Sequence, residues 1–301
     1  MGALRFKLEK EGAFLNDNKD FASTTWTSIR ELEQISLKLE SDDFINDADY
    51  LKWLNMLIAP GSSLGGARPK ASVLDQNKNL WIAKFPSKND DTNIGAWEMV
   101  THELAVSSGI NMAEATAKKF TSNHHTFLTK RFDRTNLGER IHFASAMTLL
   151  GYVDGSDYTE GVSYLELVDF ISTKGANVNE DLEQLWRRIV FSICVSNTDD
   201  HLRNHGFILT TTGWILSPAF DINPIETGAG LKLNISENDN SLEVELALQV
   251  CNYFRLEKEK AKTIINEIKS AVKAWKKVAS KYGISKSEQE IKSRAFFQAE
   301  N

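Results

Sequence analysis

The residues best equipped for chemistry lie in one short segment, Ser196-Asn197-Thr198-Asp199-Asp200-His201-Leu202-Arg203-Asn204-His205-Gly206-Phe207. It gathers carboxylates, an amide and imidazoles between a long apolar helical pattern and a short hairpin pattern. Phosphoryl transfer to a hydroxyl needs a carboxylate that orients the hydroxyl and accepts its proton. It also needs oxygen ligands for the Mg²⁺ that bridges the phosphates. Asp199 and Asn204 stand at the Asp-x-x-x-x-Asn spacing of kinase catalytic loops. A second metal-binding carboxylate is expected after a nearby hairpin, and Ser217-Pro218-Ala219-Phe220-Asp221 supplies Asp221. Either motif alone is ordinary turn chemistry; their order and context together point to phosphoryl transfer.

A place for phosphate comes earlier in the chain. The stretch Pro60-Gly61-Ser62-Ser63-Leu64-Gly65-Gly66-Ala67-Arg68-Pro69-Lys70 lacks the Gly-Lys-Ser/Thr ending of a Walker A loop. Its glycines still allow backbone N–H groups to approach phosphate oxygens, and the bland alternative is a surface loop. Lys84 ends the next strand pattern, where kinases keep a phosphate-binding lysine, and Glu98 on the following helix is its natural ion-pair partner, with Glu103 also in reach. His201 and His205 have a zinc-like spacing. However, Leu202 replaces the metalloprotease glutamate, and no third ligand is evident.

These groups must be positioned by two kinds of structure. Apolar periodicity predicts helices over 22–39 and 43–58, with Thr24/Thr25 and Asp42/Asp43 as N-caps. Short apolar runs around Asp75-Gln76-Asn77-Lys78-Asn79 predict a hairpin ending at Phe85. A helix over 92–108 stopped by Gly109 follows, then strands over 113–120 and 125–132. From Asp133 onward helical patterns dominate, at 143–151, 163–174, 179–197 and from 243 to the end. A second hairpin is expected at 206–216. The pattern predicts an α+β chain in two lobes, 1–132 rich in strands and 133–301 mainly helical.

Composition narrows the function classes. The chain has 301 residues, 42% of them hydrophobic, which is enough for two compact units. A net charge of -6 argues against duplex DNA as a direct partner. The two cysteines, Cys194 and Cys251, suit a reducing compartment, and Cys194 lies in an apolar run that reads as core. No apolar stretch is long enough to span a bilayer, so a cytoplasmic protein with no membrane partner is expected.

Four ordered motifs resemble the signatures of HipA-like serine/threonine kinase toxins. They are Ser63-Leu64-Gly65-Gly66-Ala67-Arg68-Pro69-Lys70, Arg131-Phe132-Asp133-Arg134, Thr198 to Asn204, and Ser217 to Asp221. The resemblance implies a bilobal protein-kinase-like fold using ATP and Mg²⁺. By motif position Asp199 is the catalytic base, and Asn204 and Asp221 hold magnesium. Gly65, Gly66, Ala67, Arg68, Pro69 and Lys70 cover the phosphates, Lys84 contacts them, and His201 lies beside them. Lys130, Arg131 and Phe132 form the hinge to adenine. Ser63, with Ser62 as second candidate, stands where the family autophosphorylates.

The resemblance also implies partners. Family members phosphorylate an aminoacyl-tRNA synthetase and are restrained by a HipB-type antitoxin. The layout is similar to the short HipT-type kinase, whose small N-terminal subdomain is a separate HipS-like protein. Action as a secreted effector is the alternative setting. A lipid or small-molecule hydroxyl as acceptor, and a non-catalytic pseudokinase, are the competing readings of the same scaffold.

Overall fold

Asp75 organises the first hairpin. In the computed structural model, which describes residues 3–14, 24–40 and 68–300, its carboxylate accepts hydrogen bonds from Asn77 N, Asn79 N, Asn79 Nδ2 and Trp81 Nε1. Strands Thr24–Thr25 (β1), Lys70–Leu74 (β2), Leu80–Lys84 (β3), Ala115–Lys118 (β4) and Thr126–Lys130 (β5) form a sheet in the order β1-β2-β3-β5-β4. Only β1 runs parallel to its neighbour, β2. The expected helix over 43–58, its caps Asp42/Asp43 and the glycine stretch through Ala67 lie outside the described residues.

The chain divides into two compact units, Met1–Met99 with Glu114–His142, and Val100–Ala113 with Phe143–Asn301. In the first, helix Ile29–Leu39 (α1) lays Ile29 and Leu32 on a core of Ala71, Val73, Trp81, Ala83, Phe85 and Leu128. The helix begins later than the 22–39 pattern predicts. Thr24 and Thr25 pair with β2 instead, as β-branched residues favour, and Thr25 makes no side-chain cap. Helix Ile94–Ser107 (α2) contains the division between the units. Its Gly95 is required by close packing, because a Cβ there would sit 2.1 Å from the His125 carbonyl oxygen.

In the second unit, strands Phe143–Ser145 (β6), Gly206–Leu209 (β7) and Trp214–Leu216 (β8) form an antiparallel sheet in that order. The helix expected over 143–151 is therefore a short strand followed by helix Ala146–Leu150 (α3). Phe143, Ala144 and Ser145 complete the edge of β7, and Ser145 then caps α3. Helices Tyr164–Lys174 (α4) and Val178–Cys194 (α5) follow, α4 starting in a Ser163/Glu166 capping box. Helices Val244–Gln249 (α6), Lys258–Val272 (α7), Trp275–Lys281 (α8), Lys286–Lys292 (α9) and Phe297–Glu300 (α10) complete the unit. Among the described residues no helix is long and apolar enough to cross a membrane.

One buried acid ties the first unit together. Glu33 on α1 is fully buried and accepts hydrogen bonds from Thr121 N, Thr121 Oγ1, Ser122 N and Thr126 Oγ1 at 2.5–3.0 Å. It thereby pins the β4–β5 connection to the helix. Glu33→Ala strands two backbone N–H groups and two hydroxyls, and should cost about 3 kcal/mol or more. Urea midpoints measure this, and a loss below about 1 kcal/mol would show the pins to be dispensable.

Candidate active site

The loop that leaves α5 carries two adjacent aspartates in opposite settings. Asp199 is exposed, whereas Asp200 is only 4% exposed. The Asp200 carboxylate accepts from Tyr164 Oη at 2.6 Å and lies 3.5 Å from Ser192 Oγ. His205 Nε2 stands 3.1 Å away, at ion-pair distance though off the hydrogen-bond line, with its ring edge-on to Tyr164. Burial pushes the Asp200 carboxyl up, but His205 and the Tyr164 hydroxyl outweigh it and hold the group below the usual carboxylate range. Inside the loop, Asn204 Nδ2 donates to the Asp199 carbonyl at 3.1 Å, bringing Asn204 against the backbone of Asp199.

The segment bearing Asp221 is strapped to the same loop. Asn223 N donates to Asn197 Oδ1, and Ile225 N to the Ser196 carbonyl. Gly228 packs so closely on Thr198 that a Cβ would fall 2.2 Å from its methyl. On the other side, Ala219 exchanges backbone hydrogen bonds with Asn111 and Ala113, and Thr101 Oγ1 donates to the Ile222 carbonyl. Between these pins Asp221 adopts a left-handed φ of 60°, and Ser196 one of 48°. Strain of this kind persists only where the surroundings over-determine it, and it clusters at functional sites.

The donor chemistry of Asn204 and Asp221, an amide and a carboxylate with Asp221 part-exposed, fits a hard cation that takes its remaining oxygens from phosphate and water. Such a site needs no three-residue acidic or His/Cys cluster, and none is found among the described residues. The two histidines are not a zinc pair. His205 faces Asp200, while His201 Nε2 lies 3.4 Å from Arg203 Nη2.

The remaining candidates belong to the first unit and are described within it. Lys84 Nζ lies 2.6 Å from Glu98 Oε1, both largely buried, whereas Glu103 pairs with Lys281 and Tyr282. Arg68 makes a two-pronged bond to Asp90 at 2.7 Å per arm and a third bond to the Phe85 carbonyl. Pro69 accepts from Phe85 N, and Lys70 opens β2 opposite Lys84. At the end of β5, Lys130 lies 3.4 Å from Glu114, and Arg131 N donates to the Leu80 carbonyl. The Arg131 guanidinium is bound twice to Asp133, which also receives Arg134, and Phe132 between them is part-buried. Gly65, Gly66, Ala67, Ser62 and Ser63 lie outside the described residues.

The sequence model of the HipA-like C-terminal domain matches residues 62–275, more than half of the chain. This chain belongs to the HipA-like C-terminal domain family. It is 24% identical over 194 residues to the serine/threonine-protein kinase toxin HipA of Shewanella oneidensis, covering 56% of this chain and 44% of that protein. It is 26% identical over 165 residues to a kinase-named protein of Haemophilus influenzae, covering 49% and 48%. The chain thus spans just under half the length of these relatives. Among solved structures it resembles a chain of the Shewanella oneidensis MR-1 complex of HipA, HipB and operator DNA. The TM-score is 0.62 at 19% identity, over 79% of this chain and 63% of that one. The fold is α+β and kinase-like.

Two features around these candidate residues have no clear mark in the sequence. The first is the Tyr164–Asp200–His205 cluster, whose members are brought together only by the fold. The second is Asp181, which accepts from Leu216 N and so ties α5 to the hairpin leading to Asp221. Arg188, fully buried and pushed down to about 10 by burial, donates to the Ser217 carbonyl on the same hairpin.

Burial lifts the Asp181 carboxyl to about 6, against the opposing pull of Leu216 N–H and Arg188. The folded state therefore holds this proton more tightly than the unfolded chain, whose aspartates titrate near roughly 4. The contribution of Asp181 is most favourable below about pH 4, declines as pH rises towards 6, and is level above that. Asp181→Asn keeps an acceptor for Leu216 N–H and should flatten this decline in urea midpoints measured from pH 4 to 7.5. An unchanged slope would assign the dependence elsewhere.

Proposed function

We propose that this HipA-like domain transfers the γ-phosphoryl group of ATP to a serine or threonine hydroxyl of a protein, with Asp199 as the base. The observation that carries the reading is the division of labour in the loop. Asp200 is consumed inside the fold while its neighbour Asp199 is exposed, next to the putting-together of Asn204 and the pinned Asp221 segment. The acceptor O–H proton passes to Asp199, the hydroxyl oxygen bonds to the γ-phosphorus, and the bond to the β-bridging oxygen breaks as ADP leaves. Asn204 and Asp221 would hold Mg²⁺, which when bound neutralises the charge developing on the phosphates.

In this reading Lys84, oriented by Glu98, binds nucleotide phosphates, and His201 lies beside them. Gly65 to Lys70 form the covering loop, with Arg68 fixing the loop's end through Asp90. Lys130, Arg131 and Phe132 meet the adenine. Ser63 or Ser62 is the autophosphorylated residue, and two added negative charges there would repel nucleotide phosphate. The toxin name of the Shewanella relative and its complex with HipB support a toxin–antitoxin setting with a HipB-type antitoxin. The family resemblance supports an aminoacyl-tRNA synthetase as substrate and a HipS-like small protein as a further partner, and the two cysteines with the lack of a membrane-spanning apolar stretch support a cytoplasmic location.

Incubation with γ-labelled ATP and Mg²⁺ should place label in protein. Asp199→Ala should reduce it by at least about 100-fold, the typical worth of a positioned acid–base group. Asp221→Ala should abolish it. Labelling that survives both changes, or that enters only lipid or metabolite extracts, would overturn the reading.

A further inference from the structure

The segment that carries Asp221 is also held by the last helices of the second unit. Lys292, at the end of α9, reaches back to it, and its Nζ donates to the Pro224 carbonyl at 3.3 Å and to Glu226 Oε2 at 2.5 Å. The Lys292 side chain is only 13% exposed. Burial raises the Glu226 carboxyl, but its bond to Lys292 outweighs this and holds the group below the usual carboxylate range. The Glu226 carboxylate is therefore ionised near neutral pH, and its bond to Lys292 is charge-assisted. Helix α9 lies beyond residue 275, where the family match ends.

Local constraints carry this hold to the site. Pro224 has a fixed φ and disfavours helical conformations of Asn223, so the chain between them has little slack. Asn223 N donates to Asn197 Oδ1, and Asn223 Nδ2 lies 3.4 Å from Asp221 Oδ1. Directly after Pro224, Ile225 N donates to the Ser196 carbonyl at 3.2 Å. The stretch from Asn223 to Glu226 is thus tied both to the entrance of the Asp199 loop and to Lys292. The left-handed φ of 60° at Asp221 persists only while such ties over-determine it. The helix layer bearing Lys292 has anchors of its own: Gln289 is buried and donates to the Ile284 carbonyl, and Phe296 stacks on Trp275 at 4.4 Å. Resting on the kinase reading above, we propose that Lys292 is a positioning residue, which clamps the stretch from Asn223 to Glu226 onto the Asp199 loop and so holds Asp221 in the conformation that binds the cation.

The test compares wild type, Lys292→Met and Lys292→Arg by amide hydrogen exchange and by Mn²⁺ binding in the presence of a non-hydrolysable ATP analogue, read by electron paramagnetic resonance. Methionine keeps the apolar stem and removes the donor, whereas arginine keeps both charge and donors. In Lys292→Met the Asn223 and Ile225 amides should exchange about tenfold faster, the worth of one hydrogen bond to a charged group, while amides of α5 keep their rates. Mn²⁺ affinity should fall by about tenfold, because a site whose competent conformation is less populated binds more weakly in proportion. Lys292→Arg should restore both. Unchanged exchange and binding in Lys292→Met would overturn the clamp and leave the kinase reading standing. Faster exchange spread through α5 would make Lys292 a general prop of the unit, and faster local exchange with unchanged Mn²⁺ affinity would separate it from Asp221; either result overturns the proposal. A wild type that binds no Mn²⁺ with the analogue would overturn both the clamp and the kinase reading.

Discussion

An ionised carboxylate inside a protein is tolerated only where hydrogen bonds and opposite charge replace the water it has lost. Asp200 meets that condition through Tyr164 on α4, Ser192 on α5 and His205 at the entrance to β7. Three elements converge on one side chain, and the loop between α5 and β7 inherits its path from them. Once Asp200 is turned inward, Asp199 is left facing solvent. Asn204 closes the loop by bonding to the Asp199 backbone. The exposure of Asp199 is thus a by-product of where the fold places its buried charge.

The same economy recurs in the first unit. Arg68 is held by Asp90, Lys84 by Glu98, and Arg131 by Asp133, each within hydrogen-bond distance. For Asp133, burial raises the carboxyl, but Arg131 and Arg134 hold it below its ordinary range. Two-pronged arginine–carboxylate bonds fix direction as well as distance. The chain leaving the glycine stretch is anchored at Arg68, and the chain leaving β5 is anchored at Arg131. Segments expected to meet a nucleotide are therefore rooted in rigid ion pairs of their own unit.

Much of this was legible in the residues, for reasons that differ by element. The first hairpin declares itself because Asp75 and the Asn residues form turn bonds that need no distant partner. Helix α2 is legible because Gly109, at a φ of 73°, can adopt the left-handed cap that ends it. Asp199, Asn204 and Asp221 were singled out by spacing, and their roles stand as a proposal. Strand β6 was missed because three residues carry no usable period, and only pairing with β7 makes them a strand. Glu33 and Asp200 were missed for a deeper reason. Charged residues in a helix face or a turn read as solvated, and their burial depends on Thr121, Thr126, Tyr164 and His205, which are distant in sequence.

The adjacent aspartates offer the most direct test of this account, because they differ by one position and should behave in opposite ways. Unfolding midpoints of Asp199→Ala and Asp200→Ala, compared with wild type in the absence of nucleotide, measure the difference. Asp200→Ala breaks a buried charge network and should cost at least about 3 kcal/mol. Asp199→Ala removes an exposed carboxylate and should stay within about 0.5 kcal/mol of wild type. Equal destabilisation by the two substitutions, or a larger loss from Asp199→Ala, would contradict the claim that Asp200 anchors the loop.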